Sequence, residues 1–426
     1  MSGADRAGAR AALVTAAVLG VALVLVIALR TPWEVLPEPP GGRIPVDPTA
    51  GLPPEQIERA ESFAAAVRPA SLLALVLGLT VSAVLGLTTL GGRLVQAVAR
   101  PLGGGWPVRV LLGTVALTVA GRLITLPISA YAESVRHRYG LSTRSWGLWL
   151  RDVAVATAIS AVITALALTA LLWLVRRAPR TWWAWSAAAA AGFVVAGSFL
   201  YPVVIEPAFN RFEPLAAGEL RTGLLALADD SGVPVEDVLV SDASRRTTTL
   251  NAYVSGFGST RRIVLYDNTL DELPDDEIES IVAHELGHVV NSDVLTGTLI
   301  GALGAAGGVA LFGWLLSSAP LLRRAGAESP GDPRAVPLVL FLLAAATLLS
   351  TPVQNLVSRQ IEARADLHAL DLTEAPEAFV RMQQRLVTAN LGDPDPPAAW
   401  HWFFGSHPTT AQRIAFAADW AELPRP

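Results

Sequence analysis

His284-Glu285-Leu286-Gly287-His288 is the run in this 426-residue chain with the strongest claim to chemistry. When an H-E-x-x-H run lies on a helix, positions i and i+4 share one face, so both imidazoles can reach one ion. Glu285 projects near that face and can hold a zinc-activated water. Zinc brings the water's pKa toward neutrality, and the carboxylate then takes its proton. The chain has only six His, which makes a chance match improbable. The bland alternative is a surface helix with two ordinary His. Residues 275–291 read as the helix the motif requires, with acids in the first turn and Pro274 just ahead.

A catalytic zinc needs a third protein ligand and an open coordination position. There is no Cys, so thiolates and disulfides are excluded and the ligand must be His, Asp or Glu. His137, His368, His401 and His407 remain, but a carboxylate is the better candidate. Residues 358–366 read as helix and put Glu362 and Asp366 at i and i+4 on one face. One division of labour makes Glu362 a ligand and Asp366 the partner of a zinc-bound His. The alternative is two solvated carboxylates paired with Arg359 and Arg364.

The elements that must carry these residues sit in a chain built for lipid. It is 52% hydrophobic and 16% charged, against about 25% charged for a soluble domain. A net charge of −5 offers no basic patch for nucleic acid. Every basic residue is Arg, which suggests a GC-rich bacterial source. Runs at 11–29, 70–90, 108–130, 153–175, 182–203, 294–317 and 336–356 are each long and apolar enough to span a bilayer. The first could be a signal peptide behind Arg6 and Arg10. Its length, and Arg30-Thr31-Pro32 where a cleavage site would lie, favour an uncleaved span. Trp33, Trp106, Trp173, Trp182, Trp183 and Trp185 fall near span ends, as interfacial aromatics do. Arg122, inside the third span, either snorkels or faces a polar interior.

Between these spans lies a polar segment. Residues 214–230 read as an amphipathic helix and Val238-Leu239-Val240 begins a strand. Thr247 to Ser255 and Arg262 to Tyr266 read as a β-hairpin closed by Gly256-Phe257-Gly258-Ser259. Residues 357–390 read as helical, 391–400 as loop, and a last helix begins near Thr409. The expected organisation is a five-span membrane region (1–206), a catalytic segment (207–293), two further spans (294–356) and a C-terminal part (357–426) carrying the third ligand.

Asn251-Ala252-Tyr253, H-E-L-G-H, S-R-x-x-E-x-x-x-D from Ser358 to Asp366, and Ser406-His407-Pro408 occur in that order. The set resembles the CAAX prenyl endopeptidase family of integral-membrane zinc peptidases. The segments Arg138 to Thr143 and Pro207 to Leu215 resemble it too, and the likeness covers most of the chain. The resemblance implies a mainly α fold: a seven-helix membrane barrel around a water-filled chamber, with a small α+β zinc-peptidase domain. It implies that His284, His288 and Glu362 bind Zn2+ and that Glu285 is the general base. It suggests that Asn251, Ala252 and Tyr253 pair with the substrate backbone by β-augmentation. His407 and Arg413 match a late His and Arg that stabilise the oxyanion; the alternative is a loop His and a helix-capping Arg.

The expected activity is therefore membrane-embedded, zinc-dependent endopeptidase action on extended or membrane-associated polypeptides. A catalytically inactive scaffold is opposed by the retained Glu285. A transporter gives no reason for H-E-x-x-H plus a carboxylate helix. Nothing in the sequence encodes prenyl recognition, and related bacterial membrane peptidases look like quality-control enzymes. The resemblance implies a cytosolic zinc site in a bacterial cell membrane. Arg in the N-terminus and in the second, fourth and sixth loops would place the site outside by the positive-inside rule, whereas Arg136, Arg138, Arg144 and Arg151 oppose this. The resemblance is preferred, because a loop Arg can serve the chamber rather than topology.

Overall fold

The structure is a computed structural model describing residues 3–47, 49, 51–201, 204 and 206–424. The N-terminal apolar runs form α1 (Gly3–Arg30), α2 (Pro54–Leu87), α4 (Trp106–Arg138), α5 (Trp146–Arg177) and α6 (Trp182–Leu200), with the short amphipathic α3 (Thr89–Ala99) after α2. The expected second span at 70–90 is corrected at both ends. It starts at Pro54 and stops at Leu87, because the Thr88 hydroxyl accepts from the Leu90 N–H and starts a new helix. The expected end of the fifth span at 202–203 lies outside the described residues.

The polar segment holds α7 (Glu206–Phe209), β1 (Phe212–Pro214), α8 (Glu219–Asp230), β2 (Asp237–Ser241), β3 (Ala252–Ser255), β4 (Arg262–Tyr266), α9 (Asp267–Glu272) and α10 (Asp275–Val290). Two further long helices, α11 (Asp293–Leu315) and α13 (Val336–Thr373), flank the short α12 (Ala319–Arg324). The chain ends with α14 (Pro376–Ala389), α15 (Ala398–Phe404) and α16 (Thr410–Ala421).

Seven helices among the described residues are long and apolar enough to cross a membrane: α1, α2, α4, α5, α6, α11 and α13. They pack neighbour to neighbour in the order α1, α11, α6, α5, α4, α2, α13, and α11 also touches α13. Only 6–28% of residues in their apolar windows are buried. A solid bundle would bury a stripe of every helix. A wall one helix thick instead leaves two faces uncovered, one toward lipid and one toward an enclosed chamber. The 38 residues of α13 rise about 57 Å, nearly twice the bilayer's hydrocarbon thickness of about 30 Å. Its C-terminal half therefore projects beyond the membrane into the catalytic domain.

That domain packs a four-stranded sheet against α8, α10, α14, α16 and the end of α13. The sheet order is β1-β2-β4-β3. β2 and β4 are parallel, while β1–β2 and β3–β4 are antiparallel. Its core includes Val238, Ile263, Leu265, Ile278, Val282, Leu286, Leu370 and Phe379, with Leu36 reaching in from the strap between α1 and α2.

Several expected elements are shorter or divided. Residues 214–230 are not one helix, because Phe212–Pro214 pairs with β2 before α8 begins at Glu219. The hairpin's first strand begins only at Ala252. Thr247 and Thr248 instead bond the loop after α4, through Leu141 and Gly140 carbonyls. Its tight turn needs Gly256 at φ +96°, where an added Cβ would lie 2.4 Å from the Thr260 carbonyl oxygen. The helical stretch 357–390 breaks at Glu374, left-handed at φ +47°, before Pro376 opens α14. The expected loop at 391–400 ends in the first turn of α15.

Candidate active site

The H-E-x-x-H run lies on α10, whose Ile278, Ile281, Val282, Ala283 and Leu286 are buried in the domain core. That burial fixes the helix's rotation and turns His284 and His288 toward α13. Gly287 lets the two helices meet closely. A Cβ there would lie 2.9 Å from the His368 Cβ and 3.2 Å from the Ala365 Cα. One turn of α13 away stands Glu362.

His284 Nε2 is 3.2 Å from Glu362 Oε2, and His288 Nε2 is 3.6 Å from Glu362 Oε1. His284, Glu285 and His288 also bring ligand atoms within 4.8 Å of one another. Both imidazoles are held from behind. His284 Nδ1 is 2.8 Å from Asp366 Oδ1, and His288 Nδ1 is 2.9 Å from Asp293 Oδ2. With Nδ1 engaged, each ring leaves Nε2 for the shared space. Glu362 Oε2 is buried and, among the described residues, nothing meets it in hydrogen-bond geometry. Burial disfavours a charged His284, yet the Asp366 and Glu362 carboxylates outweigh it and push this imidazole up to about 9. An anion-rich pocket with an unsatisfied carboxylate oxygen and two convergent Nε2 atoms fits a divalent cation such as zinc.

Glu362 and Asp366 are both buried, so the reading as solvated carboxylates does not describe them. Arg359 does not pair with either. It donates to the Gly405 carbonyl at 2.6 Å, and Asn355 donates to the Phe403 carbonyl at 2.5 Å. These bonds anchor the loop carrying His407 onto α13. His401 Nε2 adds a contact of 2.9 Å to the His407 carbonyl. The exposed His407 ring sits with Nδ1 2.9 Å from the Ser406 hydroxyl and Nε2 3.3 Å from Glu362 Oε2. Arg413 comes from α16, whose start is fixed by a capping box between Thr409 and Gln412. Its Nε donates to Asp366 Oδ2 at 2.8 Å and its Nη2 to Asp366 Oδ1; Nη2 is also 3.3 Å from His284 Nδ1.

Glu285 faces the same space as the His pair. Enclosure pushes its carboxyl above the ordinary range, while the neighbouring imidazoles pull it down. β3 is an outer strand of the sheet and packs beside α10. The Tyr266 N–H donates to the Asn251 carbonyl at 3.0 Å, which sets the phase of the β3–β4 ladder. By alternation, Tyr253 and Ser255 point their backbone groups at β4, while Ala252 and Val254 point theirs at the open edge. The Ala252 side chain is buried and Asn251 is exposed.

Sequence reasoning does not reach Asp293, nor the contacts that Arg364, Arg359 and His401 make here; His401 enters it only as a spare histidine. The sequence offers Arg364 and Arg359 only as partners of Glu362 and Asp366. Arg364 instead donates to Asp293 Oδ1. No helical spacing rule links His288 to an acid five residues on, past a helix end. The proximity of an Asp to the motif was the only available signal.

Residues 214–421 match peptidase family M48, and residues 43–211 match the CAAX prenyl protease N-terminal region of five membrane helices. An uncharacterized metalloprotease, YhfN of Bacillus subtilis, is 35% identical over 303 residues, 71% of each chain. A CAAX prenyl protease 1 homolog of Oryza sativa is 32% identical over 313 residues, 70% of each. The crystal structure of S. mikatae Ste24p has the same fold, with a TM-score of 0.76 at 21% identity over 95% of this chain and 98% of that one. Along most of its length the chain thus has relatives of one kind: it belongs to the M48 metallopeptidases, as an integral-membrane protease of the CAAX prenyl protease type.

Proposed function

We propose that the protein is a zinc-dependent endopeptidase that hydrolyses extended or membrane-associated polypeptides at the cytosolic face of a bacterial cell membrane. One observation carries the reading. Both His Nε2 atoms converge on the Glu362 carboxylate while both Nδ1 atoms are committed to carboxylates. His284, His288 and Glu362 would hold the ion. Zinc bound there would polarise the scissile carbonyl and acidify water.

Glu285 acts as general base: its carboxylate takes the proton of the attacking water and hands it to the departing amine nitrogen. Enclosure raises its pKa, the direction that strengthens a carboxylate as a base. His407, whose Nδ1 is engaged by Ser406, presents Nε2 as the donor to the developing oxyanion. Arg413 contributes its charge through Asp366, to which its Nε and Nη2 are already bonded.

The substrate lies along Asn251, Ala252 and Tyr253, adding a strand to the open edge of β3. Such pairing reads backbone, so sequence preference is loose and a prenyl group is not required. The complete set of ligands and base speaks against an inactive scaffold or a transporter. The test is cleavage of an unstructured reporter peptide by detergent-purified protein, with metal analysis. We expect about one zinc per chain, loss of cleavage with a chelator and recovery on adding zinc. Cleavage that persists after complete metal removal would sink the proposal.

A further inference from the structure

His284 is backed by Asp366, and Asp366 by Arg413. The second histidine has the same arrangement from different parts of the fold. His288 Nδ1 lies 2.9 Å from Asp293 Oδ2, and Arg364 donates to the other oxygen, Oδ1. Asp293 is buried and is the first residue of α11, a membrane helix that packs on α1 and α6. Arg364 lies on α13 between Glu362 and Asp366. The chain reaches this geometry through Ser292, which sits in the left-handed region at φ +55° between α10 and α11. That turn brings Asp293 back against a ring five residues upstream, a contact that a continuing helix would not make.

We propose that Asp293 is a positioning residue that holds His288 in its metal-binding tautomer and orientation, with Arg364 locking the carboxylate in place. The Asp293 carboxylate accepts the Nδ1–H of His288, so Nε2 carries the lone pair and faces Glu362. Arg364 occupies the second oxygen and stops the carboxylate from rotating away. One of the two histidines is therefore supported from within the catalytic domain, and the other from the mouth of a membrane helix. The inference rests on His288 being a metal ligand.

The test uses the full chain in detergent and three readouts: zinc affinity by chelator competition, the visible spectrum of the cobalt-substituted protein, and the melting temperature of the metal-free protein. Asp293→Asn is expected to weaken zinc binding about 10–100-fold and to change the cobalt spectrum, with the metal-free melting temperature unchanged. In a His288→Ala background, Asp293→Asn should add no further loss. Arg364→Gln, which leaves Asp293 in place, should show a smaller loss of the same kind and serves if Asp293→Asn does not fold. Wild-type zinc affinity and cobalt spectrum in the folded variants overturn the proposal, as does an equal loss with and without His288. If His288→Ala itself keeps full zinc, the ligand assignment has failed. If His288→Ala loses zinc and Asp293→Asn does not, only the positioning role has failed.

Discussion

The Nδ1 of His284 and the Oδ1 of Asp366 are 2.8 Å apart, with Asp366 almost fully buried and bonded to Arg413 on its far side. Glu362, one turn earlier on the same helix, instead meets Nε2 of both motif histidines. The two carboxylates therefore meet different atoms of the imidazoles, and unequal effects are expected from removing them. Glu362→Ala is expected to strip most of the zinc, whereas Asp366→Ala should lower affinity or activity about 10–100-fold, as loss of a ligand's support does. Metal analysis of both purified variants decides this. If Asp366→Ala empties the site while Glu362→Ala leaves it filled, the roles must be exchanged.

Glu285→Gln keeps the side chain's shape and removes the proton acceptor. Zinc content should stay at the wild-type level while peptide cleavage falls by at least about 10²–10⁴-fold, the usual contribution of a positioned base. Steady-state rates on a reporter peptide are the check, and an active Glu285→Gln enzyme contradicts the mechanism.

Gly287→Ala introduces a methyl group 2.9 Å from the His368 Cβ, against a helix that offers no free space. The expected result is separation of α10 from α13, a stability loss of about 1–3 kcal/mol and weaker zinc binding. Denaturation curves and chelator competition should move together. Full affinity in this variant would mean that the close approach is not what assembles the site.

Ala252→Pro removes a backbone donor at the open edge of β3 without touching a zinc ligand or a β3–β4 ladder bond. Cleavage of extended peptides should collapse with zinc content and melting temperature retained. If all three fall together, this residue supports the fold and not the substrate. A strict requirement for a prenylated C-terminal Cys, with unmodified extended peptides left uncut, would narrow the function to prenyl-peptide removal.

Glu133 is fully buried at the end of α4 and accepts from Ser142 at 2.5 Å and from Arg144 Nη2 at 2.6 Å. It ties down the loop on which Thr247 and Thr248 of the catalytic segment are bonded. Glu133→Ala removes the carboxylate that holds Ser142 and Arg144, while the partly exposed Arg144 keeps Asp152 4.0 Å away, and a loss of about 1–3 kcal/mol is expected. A thermal melt unchanged from wild type would show that the domain does not depend on this junction.

The parts of this protein that were legible in the sequence are those governed by local periodicity. Twenty-residue apolar runs can do little but span a bilayer, and H-E-x-x-H on a helix can do little but present two imidazoles to one side. Glu362 and Asp366 are likewise placed on one face by their spacing, but helical spacing says neither which face meets α10 nor which of the two carboxylates reaches both imidazoles.

Tertiary structure decided what depends on residues distant in sequence. The parallel pairing of β2 with β4 puts β3 at the sheet's edge, and no hairpin pattern encodes that. The wall of single helices follows from which helices touch, not from their hydropathy. Arg413 reaches Asp366 across 47 residues of chain, and Arg364 reaches Asp293 across 71. Asp293 turns back onto His288 only because Ser292 adopts a left-handed backbone that its side chain does not favour. Side-chain type and spacing determine what chemistry a chain can attempt. The supports that aim each imidazole are set by contacts between elements, which form only once the whole fold has closed around them.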